Sequence, residues 1–260
     1  MQVVILCGGL GTRLKEETEF RPKPMVKIGN RPILWHIMKI FSSYGINEFI
    51  LALGYKGEMI KEYFYHYEMM DNDITIELGK PGSHIIHESN TDEKGWKITL
   101  VNTGEKALKG ARLKKIERYI TGDEFMVTYG DGLADVDLNE LIRFHHSNGA
   151  LATVTGVYAA SRFGELKISG TTVESFVEKP QFGNEFINGG FFVFNKKIFN
   201  YLTTEDSCDL EIGALEKIAK DRQLKVFKHS GSWACMDTLR DMEYLNKLWD
   251  ENKAFWKKWE

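Results

Sequence analysis

Two short stretches near the start of the chain carry residue types suited to polyphosphate chemistry. Gly8-Gly9-Leu10-Gly11-Thr12-Arg13 is a glycine-rich turn, and Pro22-Lys23-Pro24-Met25 follows it. Glycines without a Cβ let backbone N–H groups approach phosphate oxygens closely. Arg13 and Lys23 bring fixed positive charge to the same place, and the prolines flanking Lys23, each with φ held near −65°, give the lysine a stiff support. Further on, Asp131 in Tyr129-Gly130-Asp131-Gly132 is suited to a divalent cation, because Mg²⁺ prefers one or two carboxylates together with phosphate oxygens. The same Asp-Gly pair would also serve as a plain turn. Spacing argues against two familiar phosphate sites and leaves a nicotinamide-binding dehydrogenase as the weakest reading. A dinucleotide fold wants G-x-G-x-x-G and an acid about twenty residues later, whereas here Leu14 stands at the third glycine and Lys23 and Lys27 lie where the acid belongs. A Walker-type loop needs G-K-[ST] before its helix, and this turn has none.

These residues need strand ends and helices to hold them. Val3-Val4-Ile5-Leu6 reads as a buried parallel strand leading into the glycine turn. From Pro32, apolar residues at Ile33, Leu34, Ile37, Met38, Phe41 and Tyr44 predict a helix that Gly45 stops. Phe49–Leu53 is the next strand, with a helix through Met59, Ile60, Tyr63 and Phe64. That order is the βαβ rhythm of a doubly wound sheet. Residues 74–78 and 96–101 read as strands around a polar loop or hairpin. Phe125–Tyr129 is a strand ending at Asp131, and a helix near Leu138–His146 and a strand at Ala152–Val157 follow. Shorter strands fall at Glu165–Ile168 and Val173–Val177, a central one at Phe191–Phe194, and helices near Leu210–Lys220 and Leu239–Asn252. Asp237 sits where an N-cap is wanted before the last of these. The expected fold class is α/β: a Rossmann-like, mostly parallel mixed sheet flanked by helices. It is read as a single domain over 1–260, with a hairpin insertion around 74–101 and a helical C-terminal end.

The composition sets outer bounds. With 34 basic and 37 acidic side chains, the net charge of −3 argues against bulk affinity for nucleic acid or anionic membranes. No apolar stretch approaches the roughly 18 residues needed to span a bilayer, and Met1–Gly11 lacks the basic start of a secretory signal. The odd number of cysteines (Cys7, Cys208, Cys235), without metal-ligand spacing, fits reduced thiols in the cytoplasm. Phe255-Trp256-Lys257-Lys258-Trp259 reads as a packed tail or a subunit contact, and a homo-oligomer is expected. His145-His146 reads as a surface pair.

Taken together, the glycine turn and Pro-Lys-Pro-Met resemble the N-terminal signature of the sugar-phosphate nucleotidylyltransferases, and the resemblance extends over nearly the whole chain. It implies a nucleotide-binding set of Leu6, Gly8, Gly9, Leu10, Gly11, Thr12, Arg13, Lys23, Thr103, Arg112 and Gly130, with Arg13 and Lys23 catalytic through their charge. It implies a Mg²⁺ cofactor held by Asp131 and Asp237, and a sugar-phosphate subsite from Tyr129, Gly164, Glu178, Lys179 and Asn188. In that subsite Glu178 accepts from sugar hydroxyls and Lys179 pairs with phosphate.

The stretch from Asn102-Thr103-Gly104 to Lys109-Gly110-Ala111-Arg112-Leu113-Lys114 resembles the members that act on glucose 1-phosphate with CTP, where Arg112 would donate to the pyrimidine carbonyl. Read alone, Arg112 could instead be an exposed helix charge. The resemblance implies cytidylyl transfer to α-D-glucose 1-phosphate, feeding deoxysugar synthesis for surface polysaccharide, with CTP and a sugar 1-phosphate as partners. The open alternatives are another sugar or polyol phosphate, another nucleoside triphosphate, or a non-catalytic subunit that binds nucleotide sugars. Cys7, Ala234-Cys235 and the segments Gly79–Glu93 and Thr203–Gly213 depart from the family pattern.

Overall fold

The computed structural model describes residues 1–80, 82–87, 93–158, 164–178 and 185–259. Its centre is a seven-stranded sheet whose strands, in chain order, are β1 (Gln2–Cys7), β2 (Glu48–Leu53), β3 (Lys97–Asn102), β4 (Glu124–Tyr129), β5 (Ala152–Tyr158), β6 (Phe186–Asn195) and β7 (Leu224–His229). Their spatial order is β7-β5-β6-β4-β1-β2-β3. β1 pairs parallel with both β2 and β4, β2 with β3, and β5 with β7, while β6 runs antiparallel to its two neighbours. The sheet is therefore mostly parallel, as the apolar runs require, with β6 as its reversed strand.

Consecutive residues of a strand point to opposite faces, and both faces here are covered. Val3, Ile5 and Cys7 enter one core with Ile33, Ile37 and Phe41 of α1 (Ile33–Ser42), whereas Val4 and Leu6 enter a second core with Leu113 of α3 (Lys109–Lys115). Between these in sequence lies α2 (Gly57–Tyr65). The helix after β4, α4 (Leu138–Asn148), is capped by the Asp137 carboxylate on the Glu140 N–H. Its His145 is buried, with Nδ1 2.8 Å from the Thr153 hydroxyl, so of the histidine pair only His146 is at the surface.

Several boundaries differ from the sequence reading. Residues 74–76 pair with 84–86 as a separate hairpin, while 97–102 joins the central sheet, so the insertion is narrower than expected. The segment Leu210–Leu215 is not a clean helix: Ile212 and Gly213 leave helical geometry before Glu216–Lys220 resumes it. Residues Glu165–Ser169 and Thr172–Val177 form an antiparallel ribbon outside the sheet. Among the described residues all three cysteines are free thiols.

The aromatic C-terminal end packs on α1. Trp256 is fully buried after α5 (Leu239–Asp250), and its indole N–H donates to His36 Nδ1 at 3.4 Å. On the other side of the ring, Nε2 lies 3.0 Å from the Ile28 carbonyl, so Nε2 carries the proton and the imidazole is neutral. Burial pushes the His36 pKa down to about 4 from an ordinary 6.5. Between those values the unfolded chain binds a proton that the folded chain refuses, so stability falls as pH drops through this window. The total loss from this group is about 3 kcal/mol. We expect the urea midpoint to decline from pH 7 to pH 4 and the decline to be shallower in His36→Gln. An equal slope in both proteins would contradict the buried, neutral histidine.

Candidate active site

β1 and β4 lie side by side and parallel, so the turn after Cys7 and the Gly130-Asp131 turn open at the same sheet edge. Gly130 donates its N–H to the Leu6 carbonyl at 3.2 Å, which engages that carbonyl within the framework. Pro22 enters with extended geometry and starts a single tight turn over Lys23–Met25. This turn packs directly on Gly130, where an added Cβ would lie 2.8 Å from Pro24 Cγ and 3.0 Å from the Leu6 carbonyl oxygen. The absence of a side chain at Gly130 is thus what lets the proline-braced lysine reach the end of β4.

Asp237 arrives from a distant part of the chain. Residues Trp233–Cys235 pair antiparallel with Gly132–Ala134, and Cys235 is registered opposite Gly132. That register sets Asp131 and Asp237 close together, and Met236 N–H donates to the Asp131 carbonyl at 2.9 Å. Asp237 is not the N-cap. Thr238 takes that role in a capping box with Asp241, leaving the Asp237 carboxylate for the site.

The Lys23 ammonium sits between the two carboxylates, 2.6 Å from Asp131 Oδ2 and 2.6 Å from Asp237 Oδ1. Arg13, largely exposed, closes on the other Asp237 oxygen at 2.8 Å. Burial works against both charges, yet the neighbours prevail: Lys23 is held above its ordinary pKa by the Asp131 charge and the carboxylate hydrogen bonds. Asp237 is held below its ordinary value by Lys23 and Arg13. One oxygen of each carboxylate and the Cys235 sulfur lie within 4.8 Å of one another. Burial, together with the Asp131 charge, pushes the Cys235 thiol up, so it stays protonated. The hard oxygen pair suits Mg²⁺, and the protonated sulfur does not.

Arg112 is not an exposed helix charge. Its guanidinium is buried and donates to the Leu53, Gly104, Gly8 and Glu105 carbonyls and to the Thr103 hydroxyl, at 2.7–3.1 Å. It thereby ties together the loops that leave three adjacent parallel strands, β1, β2 and β3. The fit depends on glycine, since a Cβ on Gly8 or Gly54 would come within 2.5 Å of guanidinium atoms. Thr103 is also buried, its hydroxyl donating to the Leu53 carbonyl at 2.6 Å, so its side chain braces the loop.

The remaining expected residues fall into further groups. Gly9, Leu10, Thr12 and Arg13 are exposed on the turn, Gly11 is half-buried, and Gly8 and Leu6 are covered. Asn188 donates to the Tyr129 hydroxyl at 2.9 Å, joining two predicted sugar-side residues. Gly164 and Glu178 lie together at the open end of the outer ribbon: a Cβ on Gly164 would stand 3.0 Å from Glu178 Oε2. Lys179, the predicted phosphate partner, lies outside the described residues. Sequence reasoning gives Glu211 no role and takes Lys109 only as part of a motif. Cys235 was legible only as a departure two residues before Asp237.

A mostly parallel sheet with a cation-clamped pair of aspartates at its carboxyl edge defines the class. The nucleotidyl transferase family model matches residues 2–253, and the chain belongs to that family. Among curated relatives, the glucose-1-phosphate cytidylyltransferase of Salmonella typhi is 46% identical over 261 residues, spanning all of both chains. The "probable glucose-1-phosphate cytidylyltransferase" of Bacillus subtilis is 44% identical over 259 residues, again spanning all of both. The crystal structure of HddC from Yersinia pseudotuberculosis complexed with GMP-PN is 26% identical with a TM-score of 0.69, covering 95% of this chain and 99% of that one. No helix among the described residues is long and apolar enough to cross a membrane.

The packing at Gly130 is testable. Gly130→Ala should lower stability by about 1–3 kcal/mol through overpacking against Pro24 and the Leu6 carbonyl, read as a reduced urea midpoint, and should slow turnover by shifting Lys23. An unchanged midpoint with full activity would show that the lysine turn does not rest on β4.

Proposed function

We propose that this protein transfers the cytidylyl group of CTP to α-D-glucose 1-phosphate, giving CDP-glucose and pyrophosphate, with Mg²⁺ as cofactor. The single observation that carries the chemistry is the Lys23 ammonium between Asp131 and Asp237 with Arg13 on the outer oxygen. Choice of nucleotide and sugar is supported by the full-length relatives. The presence of the lysine and both carboxylates counts against a non-catalytic subunit. We read the chain as one nucleotidylyltransferase domain.

In the reaction an oxygen of the sugar phosphate attacks the α-phosphorus in line, and the bond to the pyrophosphate oxygen breaks. The acceptor phosphate is already ionised near neutral pH (second pKa about 6), so no side chain must remove a proton. The difficulty is electrostatic, since two polyanions must meet. At 4 Å two like unit charges repel by about 4 kcal/mol at an effective dielectric of 20. Asp131 and Asp237 would hold the Mg²⁺, which supplies neutralisation of triphosphate charge. Lys23 and Arg13 would meet phosphate oxygens as charge moves to the leaving group. Backbone N–H groups of the turn from Gly8 would cradle the triphosphate. Glu178 and Asn188 would contact the sugar, and Lys179 its phosphate.

Arg112 would act on the base chiefly by fixing the wall formed by Gly8, Gly54 and Thr103–Glu105. Its two terminal nitrogens already share four protons among five acceptors, so a direct bond to a pyrimidine carbonyl would have to displace one of these partners.

A pyrophosphate-release assay crossing the common nucleoside triphosphates with several sugar 1-phosphates, with and without Mg²⁺, tests this reading. CTP with glucose 1-phosphate should be fastest and Mg²⁺-dependent, and a different preferred pair would overturn the substrate assignment. Lys23→Ala should cut turnover at least a hundredfold, about 2.7 kcal/mol of barrier lowering, with circular dichroism unchanged. Near-normal turnover would remove Lys23 from the mechanism. Arg112→Lys keeps the charge but not the planar fork. It should narrow the preference for CTP over UTP about tenfold, and an unchanged ratio would remove Arg112 from base selection.

A further inference from the structure

Beside the predicted sugar side of the site lies a chain of hydrogen bonds whose direction can be worked out from chemistry alone. The Tyr129 hydroxyl, at the end of β4, lies 2.5 Å from Glu211 Oε1. Lys109 Nζ reaches the same oxygen at 2.6 Å and stands 5.4 Å over the Tyr129 ring. An ionised carboxylate can only accept, so the tyrosine O–H donates to Glu211. With its proton spent, the phenol oxygen must accept from Asn188, whose Nδ2 is 2.9 Å away. At the other end of that amide, Oδ1 accepts from the Gly190 N–H at 2.9 Å, a partner that can only donate. Both ends of the Asn188 amide agree, and its orientation is single-valued. Its second amide proton is left to point from an exposed residue on β6.

Glu211 is itself held in place at some cost. It sits in the irregular start of the 210–215 segment, where the Asp209 carboxylate accepts from the Glu211 and Ile212 N–H groups at 2.9 Å each. That start is pressed on α3, since a Cβ on Gly110 would lie 2.8 Å from the Asp209 backbone. Glu211 Oε2 is buried and has no hydrogen-bond partner among the described residues.

We infer that Glu211 is a positioning residue for acceptor recognition: by taking the Tyr129 proton it leaves the phenol oxygen to accept from Asn188, and this bond together with the Gly190 N–H holds the Asn188 amide with its second N–H toward the sugar 1-phosphate. The acceptor group facing Asn188 is therefore a hydroxyl or phosphate oxygen that accepts. This rests on the reading above that places the sugar phosphate against Tyr129 and Asn188. Glu211→Gln breaks the logic without changing size, because a carboxamide can meet the tyrosine as donor or acceptor, so the phenol proton can turn toward Asn188 and the bond that braces the amide from that side is lost, while the Gly190 N–H still sets which way the amide faces.

The test uses the full chain and whichever sugar 1-phosphate the wild-type enzyme turns over fastest. That choice reports separately on the substrate assignment. Glu211→Gln should raise KM for the sugar phosphate at least tenfold and leave KM for CTP within twofold. Tyr129→Phe should do the same, and the double variant should be no worse than Tyr129→Phe alone. Glu211→Asp, which keeps an acceptor-only carboxylate, should recover part of the loss. Equal rises in both KM values, a fall in thermal stability without a KM change, or additive single effects would each overturn the proposal.

Discussion

One ammonium group between two carboxylates organises the functional end of this molecule. Asp131 and Asp237, with ligand atoms within 4.8 Å, repel one another unless positive charge stands between them, and the Lys23 Nζ does so at 2.6 Å from each. Arg13 balances the outer oxygen of Asp237. The two anions and two cations form a neutral set in which each member can trade its partner for one of the same sign. A divalent cation can replace the ammonium on the carboxylates, and phosphate oxygens can replace the carboxylates on Lys23 and Arg13. On the proposed reading, a site built in this way would take up a metal–polyphosphate complex by exchange of partners, with no unpaired charge beforehand.

Everything near this point serves to bring three remote segments together. Parallel pairing of β1 and β4 aligns their carboxyl ends, Gly130 admits the proline-braced turn, and the pairing of Cys235 with Gly132 delivers Asp237. On the neighbouring strands Arg112 performs a similar task with hydrogen bonds in place of ion pairs, binding the loops after β1, β2 and β3 into one wall. Open α/β sheets place ligands at the carboxyl ends of their strands, and here the reason is visible in the loops that such stitching holds still.

Strand positions and the lysine turn could be read from the sequence because their signals are local. Buried parallel strands appear as unbroken apolar runs, and proline fixes backbone geometry one residue at a time. Tertiary partners decided the rest. Asp237 also sits where a helix cap is wanted, and only the Thr238–Asp241 capping box shows it to be free of that role. Arg112 carries the polar character of a surface helix position, but glycines far away in sequence make room for it in the interior. Residues Leu210–Lys220 have helical periodicity, yet Gly213 at a φ of 104° lets the chain bend and carry Glu211 to Tyr129. No local pattern announces such a contact, because its value lies in which proton each partner owns.

The measurement closest to the centre of this account is calorimetric binding of CTP, with and without Mg²⁺, to the wild-type protein and to Asp237→Asn. The wild type should bind CTP at least tenfold more tightly when Mg²⁺ is present, and the variant should lose most of that dependence while remaining folded. A variant whose CTP affinity still rises with Mg²⁺ as in the wild type would show that the nucleotide and its metal sit elsewhere, and that the clamp around Lys23 only holds the fold together.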